Sequence, residues 1–202
     1  MRNNLTRRTL LAAGTAAVAL TTLPQSAHAT LSEAQARTLV DALVADINQV
    51  IASGKSETAM YTEFARIFAR YSDVPTIARY TLGADARSAT PAQMTAFTRE
   101  FQRYISVKYG KRFREFIGGK IEVQGAKEVK SFIEVKTLAL LQGQAPFEVT
   151  FLVSDKGGSA LFFNMFIEGI NMLLTERTEI GAMLDRRKGN IDGLIEDLKT
   201  AG

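Results

Sequence analysis

The architecture of this chain turns on Phe147-Glu148-Val149-Thr150-Phe151-Leu152-Val153-Ser154-Asp155-Lys156-Gly157-Gly158-Ser159-Ala160-Leu161-Phe162-Phe163-Asn164-Met165-Phe166-Ile167. Phe147, Val149, Phe151 and Val153 alternate with Glu148 and Thr150, the period of two that a half-buried β-strand requires. Asp155-Lys156-Gly157-Gly158 interrupts the run with residues suited to a tight hairpin turn. Leu161 to Ile167 then resumes as a strand, apolar on both faces except for Asn164. Two strands joined by so short a connection must pair antiparallel.

The same period extends upstream. Ile121 and Val123 alternate with charges, and Val129, Ile133 and Val135 alternate with Lys130, Glu134 and Lys136. Gly125 and Gly143 punctuate these runs, so four consecutive strands form an antiparallel meander. On either side the period lengthens to that of helices. Leu39, Val40, Leu43, Val44, Ile47, Val50 and Ile51 form one apolar stripe, stopped at Gly54, and Tyr61, Phe64, Ile67, Phe68 and Tyr71 form a second on a helix from about Glu57 to Arg70. Asp73-Val74-Pro75 reads as an N-cap with proline in the first turn, opening a short helix that ends at Gly83. Thr90-Pro91-Ala92-Gln93 is a capping box opening a long helix through Phe97, Phe101, Tyr104, Ile105 and Lys108, ending by Gly118-Gly119. Beyond Glu168-Gly169 the helical period returns through Ile170, Leu173, Leu174, Ile180, Met183 and Leu184, with a last short helix over Ile191 to Leu198. Helices, four strands, then helices, without βαβ alternation, give an α+β fold in which helices cover one face of the sheet.

The first 29 residues stand apart. Arg7-Arg8, the uncharged run Leu10 to Leu23 and Ala27-His28-Ala29 read as the three parts of a cleavable export signal. Thr6-Arg7-Arg8-Thr9-Leu10-Leu11 resembles the twin-arginine motif, with Leu10 where Phe is common; an ordinary secretory signal is the other reading. Both lead to the periplasm. Cleavage after Ala29 leaves residues 30–202 as one domain and removes His28, the single histidine of a chain that has no Cys and no Trp. Without imidazole or thiol, Ser-His-Asp, Cys-His and His-metal chemistry are excluded, so no enzyme of those classes is expected and no metal site. Removing Arg2, Arg7 and Arg8 from a chain of net charge +4 leaves 22 basic against 21 acidic residues. A nearly neutral domain gives no general reason to bind nucleic acid. Lys111 to Lys136 is locally basic, which reads first as the solvated faces of a helix end and two strands and only second as a docking surface for anionic lipid or an acidic partner.

The segment Tyr71-Ser72-Asp73-Val74-Pro75-Thr76-Ile77-Ala78-Arg79-Tyr80-Thr81-Leu82-Gly83, followed by Arg87-Ser88-Ala89-Thr90-Pro91-Ala92-Gln93, resembles the signature of the MlaC family. Phe166-Ile167-Glu168-Gly169-Ile170, Arg177-Thr178-Glu179-Ile180 and Gly189-Asn190-Ile191-Asp192-Gly193-Leu194-Ile195 are similar to later family segments and follow in the family's order. Where that family often carries Trp before the last strand and Asp within it, this chain has Ala160 and Asn164. The resemblance implies a soluble periplasmic carrier, part of the system that maintains outer-membrane lipid asymmetry. Such a carrier holds the acyl tails of a phospholipid in a deep apolar pocket, with no cofactor and no catalysis. It implies as partners an inner-membrane ABC-type lipid transporter complex and an outer-membrane lipoprotein complex, with the carrier itself a monomer. The family also has a hopanoid-associated branch, so another amphiphile is an alternative cargo; a histidine-independent enzyme acting on an apolar substrate is a second alternative.

Candidate lining residues follow from that implication. Phe68, Tyr71, Phe97, Phe101 and Tyr104 on helices face Val149, Phe151, Val153, Phe163, Met165 and Ile167 on strands, with Ile170, Leu173 and Leu174 closing one side. By periodicity alone the same stripes describe a packed core. Asp73 is read as a helix cap, Glu168-Gly169 as a junction needing an unusual backbone angle, and Arg79, Arg87 and Arg177 as surface ion-pairing or phosphate-meeting groups.

Overall fold

The computed structural model describes residues 31–112 and 116–202; the expected export signal lies outside the described residues. Chain order begins with helices α1 (Glu33–Ala52), α2 (Glu57–Tyr71) and α3 (Val74–Leu82), a short 3₁₀ turn (Gly83–Arg87), and α4 (Pro91–Arg112). Strands β1 (Lys120–Val129), β2 (Phe132–Leu140), β3 (Phe147–Ser154), β4 (Leu161–Ile167) and β5 (Ile170–Asn171) follow, then α5 (Met172–Arg186) and α6 (Ile191–Leu198). The sheet order is β1-β2-β3-β4-β5, every neighbouring pair antiparallel.

Local chemistry sets the helix starts. Ser32 and Gln35 close a reciprocal capping box at α1, and Thr90 and Gln93 do the same at α4 through Thr90 N to Gln93 Oε1 at 3.0 Å and Gln93 N to Thr90 Oγ1 at 3.2 Å. Asp73 Oδ1 accepts from Thr76 N at 3.1 Å, capping α3 ahead of its proline. Gly83 ends α3 at φ 67°, a left-handed conformation that glycine adopts without strain.

Two expectations are corrected. The sheet has five strands, because Ile170 pairs with Ile167 across a two-residue turn and belongs to β5, so helix α5 starts only at Met172. Gly125 does not separate strands either. It marks a register shift inside β1, a bulge that bends the edge strand, and the connection to β2 is at Lys130-Ser131, with Lys130 at φ 56°.

Register decides which side chains face the helices. Ile133↔Val153, Val135↔Phe151, Thr137↔Val149 and Ala139↔Phe147 are cross-strand partners on the inner face, continued by Phe151↔Met165 and Val149↔Ile167. A second bulge between Leu152 and Val153 lets Phe162, opposite Val153, join that face. Helix α1 crosses β1 and is fixed there by Asn48, whose amide donates to Ile121 O and accepts from Ile121 N, both at 3.0 Å. Helices α2 and α4 pack together over the remaining inner face, backed by α3, α5 and α6. Gly110 permits the α2–α4 approach: a Cβ there would lie 2.6 Å from the Tyr61 ring.

Candidate functional site

Between the inner face and helices α1, α2 and α4 lies a cavity of about 410 Å³. Leu43 and Ile47 of α1, Phe64, Ile67 and Phe68 of α2, and Ile105, Ser106 and Tyr109 of α4 form its helical walls. Ile121, Phe147, Val149, Phe151, Phe162, Met165 and Ile167 form the sheet wall. Phe116, Leu141, Gln144, Ala145 and Glu168 complete the lining, and of these Gln144, Ala145 and Glu168 are exposed. The β2–β3 connection and the β4–β5 turn emerge at one end of an antiparallel sheet, so these exposed residues define a mouth at that end. Walls of aliphatic and aromatic carbon with a few polar groups at the opening suit a long apolar ligand with a polar end, and the volume lies within the usual range of ligand sites.

A side pocket of about 40 Å³ adjoins the main one and shares Phe68, Ile105, Tyr109, Phe162 and Met165 with it. Ile77, Phe101, Phe163, Asn164, Met172, Leu173 and Glu176 line the rest. Asn164 is committed to structure, since its Oδ1 accepts from Met165 N at 2.8 Å and Leu173 N at 3.1 Å and its amide donates to Asn171 Oδ1 at 3.1 Å. An amide can both donate and accept here, where a carboxylate could only accept.

A family model described as "MlaC protein" matches residues 37–200. The chain belongs to the MlaC family. A solved structure similar in fold to this MlaC-family chain is the phospholipid-binding protein from Ralstonia solanacearum in complex with a phospholipid. The two share 16% sequence identity at a TM-score of 0.66, covering 82% of this chain and 93% of the Ralstonia chain.

In this MlaC-family chain the expected lining residues fall into four groups. Phe68, Val149, Phe151, Met165 and Ile167 line the main cavity, and Phe101, Phe163 and Leu173 line the side pocket. Tyr71, Phe97, Tyr104 and Val153 reach neither cavity and are packed in the core; Phe97 and Val153 are fully buried, and Tyr71 donates through its hydroxyl to Asp46 Oδ2 at 2.9 Å. Ile170 and Leu174 do not close a wall, being 59% and 52% exposed. Leu43, Ile47, Phe64 and Ile105 showed helical periodicity, but nothing marked them as facing space. Gln144 and Ala145, in a connection without periodicity, gave no signal at all.

Behind the α4 wall lies a polar cluster not foreseen from sequence. Lys108 Nζ donates to Tyr104 Oη at 3.0 Å, to Glu176 Oε1 at 2.9 Å and to Glu179, joining α4 to α5. Tyr109 donates through its hydroxyl to Glu176 Oε1 at 2.5 Å, which fixes the ring that borders both pockets. Burial and then the Glu176 charge push the Tyr104 phenol far above its ordinary range. Burial opposes the charges of Lys108 and Glu179, but the hydrogen bonds between them win, raising the ammonium and lowering the carboxyl. Lys108, Tyr104, Tyr109, Glu179 and Glu176 Oε1 are tied to one another, so the cluster braces the wall, while Glu176 Oε2 is buried at the side pocket without a hydrogen-bond partner. No group of three or more potential metal-holding side chains occurs among the described residues.

Proposed function

We propose that this chain is a periplasmic phospholipid carrier. It holds acyl tails in the cavity, leaves the headgroup at the mouth, and moves lipid as a monomer between an outer-membrane lipoprotein complex and an inner-membrane ABC-type transporter complex. It does so without catalysis. The observation that carries this reading is the apolar cavity of about 410 Å³ with its polar lip, in a chain of the MlaC family. The Ralstonia protein of the same fold, described as bound to a phospholipid, supports lipid as cargo.

Energetics explain why such a carrier is needed. Each CH₂ moved from bilayer to water costs about 0.8 kcal/mol, so two tails of about 16 carbons impose over ~20 kcal/mol. A wall of Phe64, Phe68, Phe151, Phe162 and Met165 replaces the hydrocarbon that the tails leave. Met165 and Met172 bring flexible thioethers to the pockets, which suits chains of varying shape. No helix among the described residues is long and apolar enough to cross a membrane.

Native mass spectrometry of freshly purified protein is the direct test. A bound mass that fragments as a glycerophospholipid is expected at near-stoichiometric occupancy. Protein that carries no lipid, or that takes none up from vesicles after delipidation, sinks the carrier reading.

A further inference from the structure

The mouth of the cavity carries a formal charge. Among the described residues that line the main cavity, Glu168 alone carries a formal charge. It is exposed, stands at the mouth, and forms no ion pair with any described cation. The neighbouring acid, Glu148, is already occupied, with Lys136 Nζ at 3.0 Å and Thr150 Oγ1 at 2.9 Å.

Backbone geometry points to the same residue. Glu168 and Gly169 form the two-residue loop between paired Ile167 and Ile170, and both have positive φ, 49° and 80°, as a type I′ hairpin turn demands. Asn, Asp or Gly is favoured at the first of these positions, because a longer side chain adopts left-handed backbone at a cost. The backbone N–H of Glu168 donates to Glu148 O at 3.0 Å, which pins the turn to β3 and holds the carboxylate at the lip. Lys130 and Lys188 adopt similar left-handed backbone, at φ 56° and 53°, without lining the cavity, so what sets Glu168 apart is its place on the lip.

We propose that Glu168 makes the mouth selective, favouring lipid headgroups that end in an ammonium group over headgroups of net negative charge. The inference rests on the carrier reading and adds to it a headgroup class. An ammonium near the carboxylate gains an ion pair at a solvent-exposed site, while a phosphate without a compensating cation meets only repulsion. Because the site is open to water, the expected discrimination is modest, about two- to fivefold, and it shrinks as salt rises.

The test offers delipidated protein vesicles containing equal amounts of phosphatidylethanolamine and phosphatidylglycerol with identical tails, and the extracted lipid is quantified. Wild type should enrich phosphatidylethanolamine about two- to fivefold. Glu168→Gln and Glu168→Asn should take up both evenly, and Glu168→Lys should reverse the ratio. Asn suits the turn better than Glu, so Glu168→Asn should melt no lower than wild type, which separates lost selectivity from lost folding. Even uptake by wild type, or selectivity that survives in the Asn variant, overturns the assignment of Glu168 while leaving the carrier reading intact. Failure of wild type to take up either lipid overturns both.

Discussion

Phe151 shows most directly what a single side chain does in this protein. It lies on the inner face opposite Val135 and Met165, packs edge-on against the Phe162 ring at 5.4 Å, and borders the main cavity. An ionised carboxylate at this position would face hydrocarbon on all sides. Phe151→Asp should therefore cut co-purified lipid by more than half, measured by extraction from the folded, monomeric fraction; unchanged lipid content would contradict its place in the wall. The converse holds for Ile170 and Leu174, whose exposure predicts that Ile170→Ser and Leu174→Ser leave lipid content unchanged. Strand alternation made Phe151 and Val149 legible in the sequence, since a period of two assigns a face without ambiguity. Helical stripes were less informative. Phe97 and Phe101 share a stripe one turn apart, yet only Phe101 touches a pocket, because periodicity gives the face of a helix and not the depth of what lies opposite.

At the scale of elements, the α4–α5 contact depends on charge and the α2–α4 contact on space. Glu179 has its carboxyl lowered by Lys108, so the stability it contributes is present above its unfolded value near 4.5 and is lost as pH falls through the lower folded value. Denaturation midpoints should accordingly fall below pH ~4.5, and the acid-dependent slope should be shallower in Glu179→Gln. Lys108 is raised, so its contribution is intact below about 10.5 and fades only as pH climbs beyond that. Removing it is a harsher change: Lys108→Met leaves the 4%-exposed Glu176 without its cation and should cost about 3 kcal/mol by equilibrium denaturation. Between α2 and α4, Gly110→Ala should destabilise by about 1 kcal/mol although alanine is the better helix former, since the added methyl meets the Tyr61 ring. Caps and turns at this scale were readable because Ser, Thr, Asp, Asn and Gly act locally. The bulge at Gly125 and the short β5 were not, since both depend on pairing with a strand elsewhere in the chain.

For the molecule as a whole, an α+β meander under helices was legible from the change of period near Gly119, but a hollow interior was not. Core and cavity wall draw on the same residues, and only the separation of α1, α2 and α4 from the sheet distinguishes them. Cargo that binds the folded chain and not the unfolded one stabilises by mass action. Stripping lipid should thus lower the melting temperature by several degrees, and re-exposure to vesicles should restore it. The space of about 410 Å³ has one more consequence, which concerns compression. Internal voids vanish when a chain unfolds, so squeezing favours the unfolded form in proportion to the space eliminated. Tails inside the protein convert that space into matter, and the loaded form should withstand hydrostatic pressures that unfold the stripped one.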